Sequence, residues 1–243
     1  MFHRFHGLSE PAIALIASSM LAGTLARADR VAHRAAERCE EAVDRPHTLR
    51  VRIVPAGLEE PVNELIRAEV DAIWHPYNVT FVWMSSWEPR SGTAPPDVWV
   101  QFVDQRVVST RQRGYQALAW IPFVEGVPQP HIRVSLPAAQ RLLQTRSWWD
   151  GKPLAAAMPK IQQEVLGRVM GRALAHEIGH YLLASRLHTK SGLMRAALPP
   201  NELVRPGGAH DFTIEDGAAH ALRAARLASC AALAGAPSAG RPR

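Results

Sequence analysis

The stretch from Pro159 to about Ala184 constrains this chain more than any other. Leu166, Met170, Leu174, Ile178 and Leu182 recur at every fourth position in it, the spacing of one apolar face on a long helix. A helix of that kind is stable only when its apolar row is buried, so the remaining chain has to supply the layer that receives it.

The sequence on either side offers such a layer. Residues 48–54 alternate apolar and polar side chains and read as a half-buried strand. Over 58–75, Leu58, Val62, Leu65, Ile66, Val70 and Ile73 recur at helical spacing. The β-branched and aromatic runs 79–84 and 97–103 read as strands on either side of a Pro/Gly/Ser loop, 88–96. Further strands are expected over 116–123 and 131–136, joined by the turn Glu125–Pro128, and a helix over 137–149. A short helix suits 31–43. Past the long helix, 185–212 is loop-rich, and a last helix is expected from near Thr213, with Thr213 as N-cap and acids in its first turn. Strands mixed with helices, then helices alone, predict an α+β or mixed α/β fold: a small mixed sheet with backing helices, the long helix, and a loop-rich C-terminal part ending in a helix.

At 47% hydrophobic and 21% charged, the 243 residues cannot be a collagen-like, low-complexity or wholly disordered chain. The net charge of +6 comes from arginine, with lysine only at 152, 160 and 190. The arginines are scattered singly, so no nucleic-acid partner is expected, and the charge gives only a weak preference for acidic partners. Residues 1–28 read as a signal peptide: Arg4 with His3 and His6, an apolar run from Ala12 to Ala26, then Ala26-Arg27-Ala28 before a cut. That predicts a secreted or periplasmic protein with no membrane attachment after cleavage behind Ala28, a single domain over 29–234 and a disordered tail over 235–243. In an oxidising compartment Cys39 and Cys230, the two cysteines of the chain, are expected to pair. Such a bridge stabilises by about 4–5 kcal/mol in the chain-entropy account.

Within the long helix lies His176-Glu177-Ile178-Gly179-His180. Two histidines four apart project from one helix face, so both imidazoles can reach one metal ion. Glu177, about 100° round the helix, can stand beside the metal's water and take its proton. Two residues past Leu174, His176 lies about 200° from the apolar row, which predicts that the histidines line a cleft. Arg168 and Arg172 continue the histidine row backwards, so they must point along the cleft or pair with acids. Zinc needs a third protein ligand and leaves its fourth position open. Downstream stand His188 and the run Ser191-Gly192-Leu193-Met194.

Over 172–195 the sequence resembles the metzincin clan of zinc metallopeptidases. In that clan a third histidine follows the active-site helix, and a methionine-bearing tight turn lies beneath the metal; His188 and Met194 match these in order. The clan's usual glycine and third ligand fall at Leu183 and Arg186 here, and His188 comes eight residues after His180. The helix is therefore expected to run about one turn further before the chain doubles back. The resemblance implies Zn2+ on His176, His180 and His188, Glu177 as the catalytic base, and a peptide or protein substrate held along an edge strand, 117–123 or 131–136. Glu202 is the rival third ligand, as in families resembling thermolysin; Glu215, His210 and Asp211 are further alternatives. Tyr115, Tyr181 and Arg195 are candidate substrate contacts. The competing reading is an exported zinc-binding protein on the same scaffold, with catalysis vestigial.

Overall fold

In a computed structural model, the residues described are 45–54, 57–84, 97–104, 117–147, 153–208 and 211–235, with isolated positions 33, 37, 39–41 and 151. The segment 1–28, the loop 88–96 and residues 236–243 lie outside them. Two units are distinguished: residues 45–225, and residues 1–44 with 226–243.

In the larger unit, β-branched runs form a five-stranded sheet. Its strands are β1 (His47–Val54), β2 (Val79–Met84), β3 (Val98–Val103), β4 (Ala119–Trp120) and β7 (His131–Ser135), in the order β2-β1-β3-β7-β4. β1, β2, β3 and β7 run parallel, and β4 is antiparallel to β7. The expected strand 116–123 is interrupted at Ile121-Pro122, because proline has no N–H for a ladder. Beyond the break, β5 (Phe123–Val124) and β6 (Val127–Pro128) make a separate hairpin about the Glu125-Gly126 turn. Both turn residues have positive φ, 50° and 85°, as a two-residue hairpin turn demands.

Leu49, Val51, Ile53, Val98, Val100, Phe102, Ile132 and Val134 are buried in one core with the helices. The helices are α1 (Glu60–Trp74), α2 (Leu136–Thr145), α3 (Pro159–Leu182), α4 (Pro200–Val204) and α5 (Asp216–Gly235). On α1 the buried residues Val62, Ile66, Val70 and Ile73 fall at helical spacing, as expected. Four expectations shift. α2 begins at Leu136, where the Ser135 hydroxyl accepts from the Ala138 N–H, and ends at Thr145 instead of 149. α3 ends at Leu182, two residues before Ala184. α5 starts at Asp216 because Thr213 is not a cap: its carbonyl accepts the Leu193 N–H, and the Ile214 N–H is taken by the Tyr77 hydroxyl.

The fourth correction is to the character of α3. It has no polar face over its second half: Val169 to Ala175 and Glu177 to His180 are all buried. A second row, Gly167, Gly171, Ala175 and Gly179, also repeats every four residues, and it lets α1 lie against α3. A Cβ on Gly167 would stand 2.5 Å from the Leu65 Cβ, and one on Gly171 2.7 Å from the Glu69 Cβ. The Trp74 indole N–H donates to the Ala175 carbonyl at 3.2 Å and fixes the two helices in register. Of the tryptophans among the described residues, Trp74 is fully buried, and Trp83, Trp99 and Trp120 are half-buried.

In the smaller unit, positions 33, 37 and 39–41 are helical, with His33 and Glu37 in contact at 3.2 Å. The expected disulfide joins Cys39 to Cys230 across a sequence separation of 191, with the two Cα atoms 5.6 Å apart.

Candidate metal centre

His176 and His180 are one helical turn apart near the end of α3, and their Nε2 atoms face each other at 3.1 Å. What aims them is at the other nitrogen of each ring. The His176 Nδ1 bonds the Leu193 carbonyl at 2.7 Å, and the His180 Nδ1 bonds the Ser185 carbonyl at 2.7 Å. A carbonyl can only accept, so both Nδ1 atoms carry the proton and both Nε2 atoms present lone pairs. Burial, opposed by the Leu193 bond, pushes the His176 pKa down to about 4, and burial lowers His180 as well. Both rings are therefore neutral at neutral pH, the state in which imidazole binds metals.

His188 completes the group. Its ring stacks on His176 with centroids 5.5 Å apart and meets His180 edge-on at 4.9 Å. One ligand atom from each of the three lies within 4.8 Å of the others. Two lone pairs 3.1 Å apart repel unless a cation lies between them. A tetrahedral ion with nitrogens at about 2.0–2.1 Å has an N···N edge of about 3.3 Å, so the donor set fits zinc in kind and number, and the His176–His180 pair fits it in spacing.

The local chain explains how His188 arrives. α3 closes in a Schellman motif: the Ser185 N–H bonds the His180 carbonyl and the Ala184 N–H bonds the Tyr181 carbonyl, each at 3.2 Å. Ala184 takes the left-handed conformation (φ 46°) that glycine usually fills. The helix thus does not run a further turn, contrary to expectation; residues 185–187 span the distance as loop. After His188, the Thr189 N–H bonds the Met194 carbonyl at 2.8 Å, closing a turn in which Gly192 has φ 70°. Met194 is fully buried, and a Cβ on Gly179 would be 2.3 Å from its sulfur, so the methionine lies directly against the helix between the two histidines.

A cavity of about 420 Å³ opens over the three rings, walled by 117–121 and Phe123 on one side and by 195–198 with Leu203 on another. Glu177 lines it and is largely buried. Burial raises its pKa to about 8, against a hydrogen bond from the Ile121 backbone that lowers it. β4 is the edge strand beside this cavity, whereas β7 lies between β3 and β4.

No protein-family model and no curated protein matches the chain. Among solved structures it is similar to the crystal structure of an archaemetzincin from Methanopyrus kandleri. The two share 11% identity at a TM-score of 0.44, over 75% of this chain and 96% of that one.

The remaining candidates have other partners. Glu202 is outside the histidine group and forms an ion pair with Arg195. Glu215 accepts from the Ser191 N–H and hydroxyl at 2.8 and 2.7 Å, which anchors the turn before Met194. Asp211 pairs with Arg205. Tyr181 donates to the Asp97 carbonyl at 3.2 Å and does not line the cavity; Tyr115 and His210 are outside the described residues. Arg195 does line it.

The arginines behind the histidines are accounted for. Arg172 is 1% exposed; it pairs with Glu69 at 2.6 Å and donates to the carbonyls of Glu202, Leu203, Arg205 and Gly207 at 2.5–3.1 Å. Arg168 donates to the Val204 carbonyl at 3.2 Å. Together they carry α4 and the chain after it, which the sequence showed only as two cations needing partners. The glycine row and the Glu215 anchor went unread there, although the four-residue repeat of small residues was visible.

Proposed function

We propose that this chain is an exported zinc metallopeptidase, with residues 1–28 removed as a signal peptide and 29–234 forming the mature domain. The observation that carries the proposal is the pair of Nδ1–carbonyl bonds, which aim two neutral imidazole lone pairs at one point beside a third ring. His176, His180 and His188 would hold the ion, and this is the chemistry that the resemblance over 172–195 implies. Zinc in such a site supplies Lewis acidity, polarising a carbonyl and lowering the pKa of a water to about 7.

The protein's own groups supply the rest. Glu177, as the ionised carboxylate, would take a proton from the attacking water and deliver it to the leaving amine. The hydrogen bond from the Ile121 backbone orients that carboxylate beside the edge strand. A substrate polypeptide adds along 117–121 by main-chain pairing, since β4 is at the sheet edge and β7 is enclosed by β3 and β4. Export is supported by the Cys39–Cys230 disulfide, which persists in oxidising compartments.

The test is zinc stoichiometry beside cleavage of a mixed peptide library. The full chain should bind one zinc, and Glu177→Ala should keep the zinc and lose cleavage. His188→Ala should weaken zinc binding at least tenfold. A wild type that holds zinc and cleaves nothing would establish the vestigial binding protein instead.

A further inference from the structure

Among the described residues, the ionisable side chains lining the cavity apart from the three histidines and Glu177 are Arg186 and Arg195. They differ in what already neutralises them. Arg195 forms an ion pair with Glu202 and donates to the Gly192 carbonyl at 3.1 Å. Arg186 has no carboxylate partner among the described residues. Its guanidinium lies 4.6 Å over the Phe123 ring and donates one bond, at 3.3 Å, to the Phe123 carbonyl. A guanidinium has five N–H donors, so most of this fork is uncommitted among the described residues. The Phe123 ring in turn meets His180 edge-on at 6.2 Å, which puts the cation within two ring contacts of the histidine group.

This is an exposed cation held in place by a ring face and a carbonyl, at one end of the strand segment that would receive a substrate. A pre-positioned guanidinium loses little entropy on meeting a carboxylate, and its planar fork matches two carboxylate oxygens. Resting on the peptidase reading above, we propose that Arg186 is a specificity-determining residue, selecting polypeptides with an aspartate or glutamate close to the scissile bond. Antiparallel addition to 117–121, the more stable pairing, carries the amino-terminal part of the polypeptide toward Phe123, which puts the acidic residue on the amino-terminal side of that bond.

The test measures binding, so it does not depend on turnover. The zinc-loaded full chain carrying Glu177→Ala is titrated with matched fluorescent peptides that differ only by Asp or Glu against Asn or Gln at each position. An acidic peptide should bind about tenfold tighter than its amide twin, the discrimination of one charge-assisted contact. Adding Arg186→Gln should remove that ratio, and adding Arg186→Lys should keep most of it. The ratio should also shrink as salt is raised, a response that a merely structural arginine would not give. Equal binding of acidic and amide peptides, or a ratio that survives Arg186→Gln, overturns the assignment and leaves the peptidase reading standing. If no peptide binds at all, both fall.

Discussion

Gly179, inside the histidine pair, offers a test of the whole arrangement because two known effects of Gly179→Ala oppose each other. In a helix interior the change gains about 1 kcal/mol of propensity. Against it, the new Cβ would stand 2.3 Å from the Met194 sulfur and 3.1 Å from its methyl, with Trp74 at 3.4 Å. Ordinary carbon–sulfur contact is well over 1 Å longer, and Met194 is fully buried with no open side to turn to. Overpacking of this kind costs about 1–3 kcal/mol. The net expectation runs from no change to a loss of about 2 kcal/mol, up to several degrees in Tm for a chain of this size. The site should register it too, because moving Met194 moves Leu193, whose carbonyl holds the His176 ring at 2.7 Å. Loss of such an outer bond weakens metal affinity by about tenfold or more. Met194→Ala alone should cost about 2–5 kcal/mol. The double variant should be milder than the sum by about 1–2 kcal/mol, since each change removes the other's misfit. Urea titration of the zinc-free protein and chelator competition for zinc give both quantities. A Gly179→Ala protein that is more stable than wild type and binds zinc normally would refute the contact between helix and turn.

Arg172→Met should destabilise by about 3–5 kcal/mol in urea titration, because it leaves Glu69 and four carbonyl groups without their buried cation. Ala184→Gly should stabilise by about 0.5–1 kcal/mol: the left-handed conformation costs an L-residue about 1–2 kcal/mol, and the looser unfolded chain returns part of that. Burial pushes the Asp97 carboxyl up, but the Arg50 side chain, backbone bond and charge together hold it below the ordinary range. The stability it contributes is complete above the unfolded pKa near 4 and is lost as pH falls through the lower folded value. Asp97→Asn should accordingly flatten the acid limb of a stability-against-pH curve, and an unchanged limb would rule out the Arg50–Asp97 pair as its source.

How much of this was legible beforehand depended on whether the signal was local. β2 was expected at 79–84 and is found there, because a run such as Val-Thr-Phe-Val-Trp-Met carries its own preference. The histidine pair was legible for the same reason: a spacing of four fixes a shared face whatever surrounds it. The apolar row on α3 misled, since it implied that the opposite side was polar. Arg168 and Arg172 read in the sequence as cations in need of partners, and only the carbonyls of 202–207, some thirty residues away, show what they tether, Arg172 from a buried position and Arg168 from a half-buried one. The start of α5 was misplaced by similar long-range bonds, with Leu193 and Tyr77 claiming the groups that Thr213 and Ile214 would have used.

The distance from His180 to His188 shows how a long-range outcome can rest on one local device. Eight residues of continued helix would carry the later ring about 12 Å along the axis and away from the first two. The Schellman closure prevents this, and its bonds do double service: the Ser185 N–H caps the His180 carbonyl while the Ser185 carbonyl holds the His180 ring. The residue that closes the helix end therefore also selects the tautomer of the histidine one turn inside it. From there the chain needs only to cross back over the helix end, and the Arg186 contact with Phe123 fastens that crossing to the opposite wall of the cavity. An insertion in 185–187 would keep the fold and the histidine pair yet slacken the third ring, so zinc affinity would fall with no matching loss of stability in the zinc-free protein.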